Sequence, residues 1–202
     1  MIQLFQIIVL VFSAIIHEYM HGFMAYRLGD HTAKDLGRLT LNPIPHIDLF
    51  GSIIIPLLMV LSGTGIIFGW AKPVPFNPYA LRDQKWGAAK VAIAGPLGNL
   101  ILALLFGIVI RFCPFLGENM LGFLGIVVYI NILLMIFNLV PLPPLDGSKV
   151  LAAFLPPLWQ EKFLSLERYG LLLVLIFAFM GYQLIVPIIN GLFALITGYR
   201  IF

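Results

Sequence analysis

Cysteine occurs once in this chain, at Cys113, which excludes an internal disulfide and any metal site built on several thiolates. It reads as a small apolar side chain in a helix. Charge is almost as scarce: 10% of the residues are charged, where soluble domains carry about 25%. A water-covered globule is therefore excluded. The Lys and Arg residues are scattered, so none of them forms a patch able to track a phosphate backbone, and nucleic acid is excluded as a partner. No internal repeat, low-complexity tract or long linker divides the sequence, and one domain spanning residues 1–202 is expected. The apolar N-terminus lacks the basic leader and small-residue cleavage site of a signal peptide, and reads as a retained membrane helix.

What the chain has in excess is hydrophobic residues, 61% of the total, with a mean hydropathy of +1.03. Apolar runs cover residues 2–26, 50–68, 88–112, 120–140 and 169–198. A spanning helix needs about 20 apolar residues, so four of these suffice. The run 50–68 is short and interrupted by Pro56, Gly63 and Gly65. The last run is long and contains Pro187, which predicts a kinked helix or a helix with an appendage. Basic residues orient the helices. If the first helix runs outside to inside and 50–68 does not cross, ten of the 12 Lys and Arg residues face inward, leaving Arg111 and Arg200 outside. A full crossing would cancel that bias. The expectation is an all-α polytopic membrane protein of about four to five transmembrane helices. A re-entrant or β-hairpin element is expected between the first and second full spans. Residues 38–44 and the proline-rich 68–78 read as extended or irregular, since each proline removes a donor.

The first run contains His17-Glu18-Tyr19-Met20-His21. Residues four apart share a helix face, so both imidazoles can grip one ion. Glu18 lies one position round from His17, placed to deprotonate a water as a general base rather than to ligate. Charge inside a span costs about 2.5–3.5 kcal/mol, and a divalent cation gives three such groups a common reason. A catalytic zinc takes three protein ligands. Met24 and Arg27 stand where an extended zincin motif needs Gly and His, so the third ligand must come from elsewhere. Glu118 falls in the outer loop. Asp30, Asp35, Asp48 and Asp83 lie among loop bases and read as solvated, and Glu161 and Glu167 read as surface partners of Lys162 and Arg168. Asp146 remains, ending the uncharged stretch Asn138-Leu139-Val140-Pro141-Leu142-Pro143-Pro144-Leu145. His46 reads as a gate, a supporting group or a plain loop histidine, and His31 as a solvated turn residue. Asn99 and Asn131 lie inside spans, where an amide bonds another helix.

His17-Glu18-x-x-His21 and Asn138-x-x-Pro141-x-x-x-Leu145-Asp146-Gly147, with Gly95-Pro96-Leu97-Gly98-Asn99 between them, resemble the site-2 protease family of intramembrane metalloproteases. The likeness covers roughly residues 2–151. It implies Zn2+ held by His17, His21 and Asp146, with Glu18 as base. It also implies that Asn138 holds the substrate carbonyl or its oxyanion, and that Asn99 lines the site. The partners implied are a transmembrane protein substrate and the lipid bilayer, in a multi-pass protein of a bacterial or archaeal cell membrane. Extended backbone at 38–44 or 68–78 is then expected to hold an unwound substrate strand by β-addition. The chain is expected to be a compact form, with no earlier helix and no PDZ or other regulatory domain. The rivals are a metal-handling transporter and an inactive scaffold.

Overall fold

The computed structural model describes residues 2–61 and 69–199. Its α-helices, in chain order, are α1 (Ile2–Arg27), α2 (Thr32–Asp35), α3 (Ile55–Leu61), α4 (Gly87–Phe112), α5 (Glu118–Asn138), α6 (Asp146–Ala152), α7 (Pro157–Leu164), α8 (Gly170–Ile176) and α9 (Tyr182–Thr197). At 1.5 Å per residue α1 and α4 are each about 39 Å long, more than the roughly 30 Å of hydrocarbon to be crossed. Among the described residues, four helices are long and apolar enough to span: α1, α4, α5 and the continuous run Pro157–Thr197. That last run joins α7, α8 and α9 through a tight turn at Ser165–Tyr169 and a wide one at Phe177–Gly181, and Pro187 lies within α9. It is one continuous helical run that begins before the apolar stretch expected at 169–198.

A wide turn at Leu49–Ile54 leads into α3. Residues 49–61 extend about 20 Å, short of a full crossing; residues 62–68, with Gly63 and Gly65, lie outside the described residues, as does Arg200. Among the described residues there is no strand, and the stretches expected to be extended or irregular, 38–44 and 69–78, are irregular apart from single turns. The reason lies in their hydrogen bonds. Prolines 73, 75 and 78 lack donors, while the N–H groups of Trp70, Lys72 and Val74 go separately to Gly51 O, His46 O and the Glu18 carboxylate. No single neighbouring strand collects them.

Helix α4 is the centre of the bundle, packing on α1, α5, α6 and α9. Ala103 and Ile110 of α4, Val128 and Ile132 of α5, and Ile185, Ile189, Phe193 and Ile196 of α9 form its apolar core. At the other end of α4, Val91 packs with Ala25 and Leu81. That contact fastens the irregular segment to the end of α1. Arg111 sits at the far end of α4 and donates to Leu195 O near the end of α9. Near the first end, Arg27, Lys34 and Lys85 lie over the rings of Phe23, Tyr26 and Trp86, the pairing of bases with aromatic anchors found at a membrane surface.

Two loop readings need correction. Asp30 is not solvated but 1% exposed: it accepts from Thr32 N, Thr32 Oγ1 and Asn77 N, the last at 2.6 Å. Burial raises its carboxyl, yet these donors outweigh burial and leave it below the ordinary carboxylate value. Glu161 and Glu167 make no ion pair among the described residues; Lys162 and Arg168 lie over Trp159 and Tyr169 instead. Asp83, hydrogen-bonded by Lys90 at 2.6 Å and by Trp86 N, is likewise held below its ordinary value, chiefly by Lys90.

Candidate metal centre

Four residues of α-helix bring His17 and His21 onto one face of α1, with their Nε2 atoms 3.0 Å apart. Prolines 141, 143 and 144 end α5 and turn the chain back. Gly147 then lets α6 start against the end of α5, because a Cβ there would fall 2.6 Å from Val140 O and collide with Leu139 O. This brings Asp146 Oδ2 to 3.0 Å from His17 Nε2 and 3.1 Å from His21 Nε2. All three side chains are buried. Helix α4 closes the back of the triangle through Gly95, where a Cβ would lie 2.7 Å from His17 Nε2 and collide with the His21 ring.

The far nitrogens are tied down. His21 Nδ1 lies 2.7 Å from Val91 O, which can only accept, so Nδ1 carries the proton and Nε2 offers a lone pair. His17 Nδ1 lies 2.7 Å from Asn99 Oδ1 and is set the same way. Two imidazole lone pairs and a carboxylate oxygen therefore converge with no hydrogen-bond donor among them. Such a group needs a shared cation, and two His nitrogens with one carboxylate are a donor set that suits a divalent transition metal.

The triangle opens onto a cavity of about 250 Å³ that is also lined by Glu18, Val74, Phe76, Asn138 and Lys149. Glu18 is half-buried and stays outside the triangle, its Oε2 accepting from Val74 N at 2.7 Å. Asn138 donates Nδ2 to Leu134 O. Lys149 Nζ lies 3.9 Å from Asp146 Oδ1, the oxygen turned away from the histidines.

Residues 114–181, which hold Asn138 and Asp146, match the signature of peptidase family M50. YwhC of Bacillus subtilis (strain 168), provisionally named a zinc metalloprotease, is 38% identical over 195 residues, covering 92% of this chain and 85% of its own length. The chain belongs to peptidase family M50. Two other relatives carry the same provisional designation. Rip2 of Mycolicibacterium smegmatis is 32% identical over 185 residues, 90% of this chain and 66% of Rip2. MJ0611 of Methanocaldococcus jannaschii is 38% identical over 109 residues, 52% of this chain and 56% of MJ0611. No solved structure matches.

In this M50 chain the five residues singled out from sequence (His17, Glu18, His21, Asn138 and Asp146) all border one cavity. Asn99 joins them through His17. His46 does not: it is 1% exposed, donates Nε2–H to Thr40 O at 2.8 Å, and lines a separate apolar space between α1 and the turn at residues 49–56. Sequence reasoning named Gly95 only as part of the Gly95–Asn99 motif and gave no place at the site to Val74 or Lys149. Of the last two, Lys149 left a local signal, three residues after Asp146 at the start of a helix.

Proposed function

We propose that this peptidase hydrolyses peptide bonds in or beside transmembrane segments of membrane-protein substrates, as a single integral-membrane domain over residues 1–202. Its class, a zinc-dependent metalloendopeptidase, follows from family membership. Zinc would be held by His17, His21 and Asp146. The observation that carries this reading is the convergence of their three ligand atoms at 3.0–3.1 Å beside the cavity that holds Glu18. Depth in the bilayer supports an intramembrane substrate: ten residues of helix, about 15 Å, separate His17 from the basic residue that ends α1.

Bound zinc supplies Lewis-acid polarisation of the scissile carbonyl and of water. The remaining work belongs to the chain. Glu18 takes the proton from water and returns it to the leaving amine. Its bond to Val74 N holds the carboxylate toward the cavity and leaves lone pairs free for that exchange. Asn138, across the cavity beside Asp146, steadies the substrate carbonyl. A substrate helix hides its carbonyls in i→i−4 bonds, so it enters locally unwound, along the irregular segment 69–78. The described residues 50–61 enter the bilayer without crossing it, which keeps most bases on the inner side of a cell membrane.

The test is zinc content of the purified chain in detergent, wild type beside His17→Ala and Asp146→Ala. About one zinc per wild-type chain, lost or weakened in both variants, is expected of a three-ligand site. A wild type that takes up no zinc when supplied with it would sink the assignment.

A further inference from the structure

Behind the histidines lies a set of polar groups of which the chemistry above uses Asn99 alone: Ser13 on α1, Asn99 on α4 and Asn131 on α5. Ser13 is 3% exposed and both amides are 0% exposed. In a span every donor and acceptor needs a protein partner, because lipid offers none. Two backbone carbonyls then decide which way each amide faces. Val127 O lies 2.9 Å from one terminal atom of Asn131. A carbonyl only accepts, so that atom is Nδ2, and it also donates to Ser13 Oγ at 2.9 Å. The other terminal atom of Asn131 is therefore Oδ1, an acceptor, and it faces Asn99 at 3.0 Å. The Asn99 atom opposite it is Nδ2, which also reaches the Ser13 carbonyl at 3.2 Å. Only the Asn99 oxygen remains for His17.

We propose that Asn131 is a positioning residue for the metal centre. Acting through Asn99, it holds His17 with its proton on Nδ1, so that Nε2 presents a lone pair beside His21 and Asp146. The other tautomer would aim a hydrogen into the triangle and could not ligate. His21 needs no such chain, since a backbone carbonyl of α4 sets it directly. One ligand is thus set by a backbone carbonyl alone and the other through two side chains, Asn99 on α4 and Asn131 on α5, with the Ser13 carbonyl of α1 sharing Asn99 Nδ2, which links the seating of α5 to metal affinity. The inference rests on His17 being a ligand, as proposed above.

Two measurements on the purified full chain in detergent test it. One is zinc affinity by competition with a chromophoric chelator. The other is the histidine 15N spectrum of metal-free protein, which reports which ring nitrogen is protonated. Removing the partner that orients a ligating histidine costs 10–100-fold in affinity, so Asn99→Leu should weaken zinc by about that range and Asn131→Leu by about 10-fold. Because Asn131 acts through Asn99, the double variant should be no weaker than Asn99→Leu alone. In Asn131→Leu the His17 nitrogens should shift toward a tautomer mixture while those of His21 stay put. Ser13→Ala, which spares Val127 O, should leave both readouts near wild type. Should Asn131→Leu fail to fold, Asn131→Ser replaces it: a serine can bond back to Val127 O and still withdraws the acceptor from Asn99. Unchanged zinc affinity in folded Asn131 variants, additive losses in the double, or an unchanged His17 spectrum would each overturn the proposal. A wild type without zinc whose His17 tautomer still depends on Asn131 would overturn the metal reading and leave the relay standing.

Discussion

Helix α4 passes through two kinds of interior. Its first half meets α1 through Val91 O, Gly95 and Asn99, which face His21, the ring pair and His17, and meets α5 through Asn99 and Asn131. Its second half meets α5 and α9 through Ala103, Gly107 and Ile110, against Val128, Ile132, Ile189 and Ile196. Lipid tails are as apolar as these side chains, so the second half is held by close packing rather than by exclusion from water. Shape decides there, and swaps of like volume are tolerated. In the first half each polar atom faces partners of one hydrogen-bonding sense, donor to acceptor, so identity decides. The same helix is thus replaceable along one half and fixed residue by residue along the other.

The sharpest break of that contrast is a change that alters no shape. Glu18→Gln keeps the side-chain volume and can still accept from Val74 N, but it cannot take a proton from water. Hydrolysis should fall by about 10²–10⁴-fold, the usual contribution of a general base, with zinc content unchanged. Cleavage of a transmembrane substrate that the wild type cuts in proteoliposomes, measured beside zinc per chain, checks both halves of the expectation. A Gln variant as active as wild type would move the base elsewhere.

Adding one methyl group to each half of α4 compares them directly. Gly95→Ala drives a Cβ into the His21 and His17 rings and should weaken zinc binding by at least about 10-fold, as misoriented ligands do. Gly107→Ala drives one into Ile196, an overpacking that should cost about 1–3 kcal/mol of stability and leave zinc affinity alone. Chelator competition and thermal melting on both variants give the comparison. If zinc affinity fell equally in both, the two halves would not be independent.

Much of this was legible in the sequence, unevenly so. The four spans follow from apolar runs near the bilayer length, and the shared face of His17 and His21 follows from helical spacing alone. Asp146 emerged by elimination, because few carboxylates sit in uncharged surroundings. What escaped was contact across the sequence. Asn99 and His17 are 82 positions apart, and Asn131 and Ser13 are 118 apart; no local pattern pairs them. Buried amides announced that some helix would be bonded, without saying which. Asp30 misled for a related reason: its charged neighbours in sequence suggested solvent, while its partner Asn77 arrives from 47 residues away.

Asp30 also supplies the mildest test of the contrast, through pH. Its carboxylate ties the irregular segment to the end of α1 by accepting from Thr32 and from Asn77 N, and it titrates below its ordinary value because those donors outweigh its burial. The charged form is therefore favoured by folding. Its stabilising contribution is complete above the unfolded carboxyl value of about 3.9 and is lost as pH falls through the lower, folded value. Hydrogen exchange at the Asn77 amide, corrected for its intrinsic rate, should lose protection over that interval. The amide of Ile110, deep in the apolar half, should keep it. Asp30→Asn preserves the shape and removes the titration, so its Asn77 protection should no longer change with pH over the same range. Loss of protection at both amides together would mean that acid unfolds the bundle as one unit, and that the polar end has no separate stability of its own.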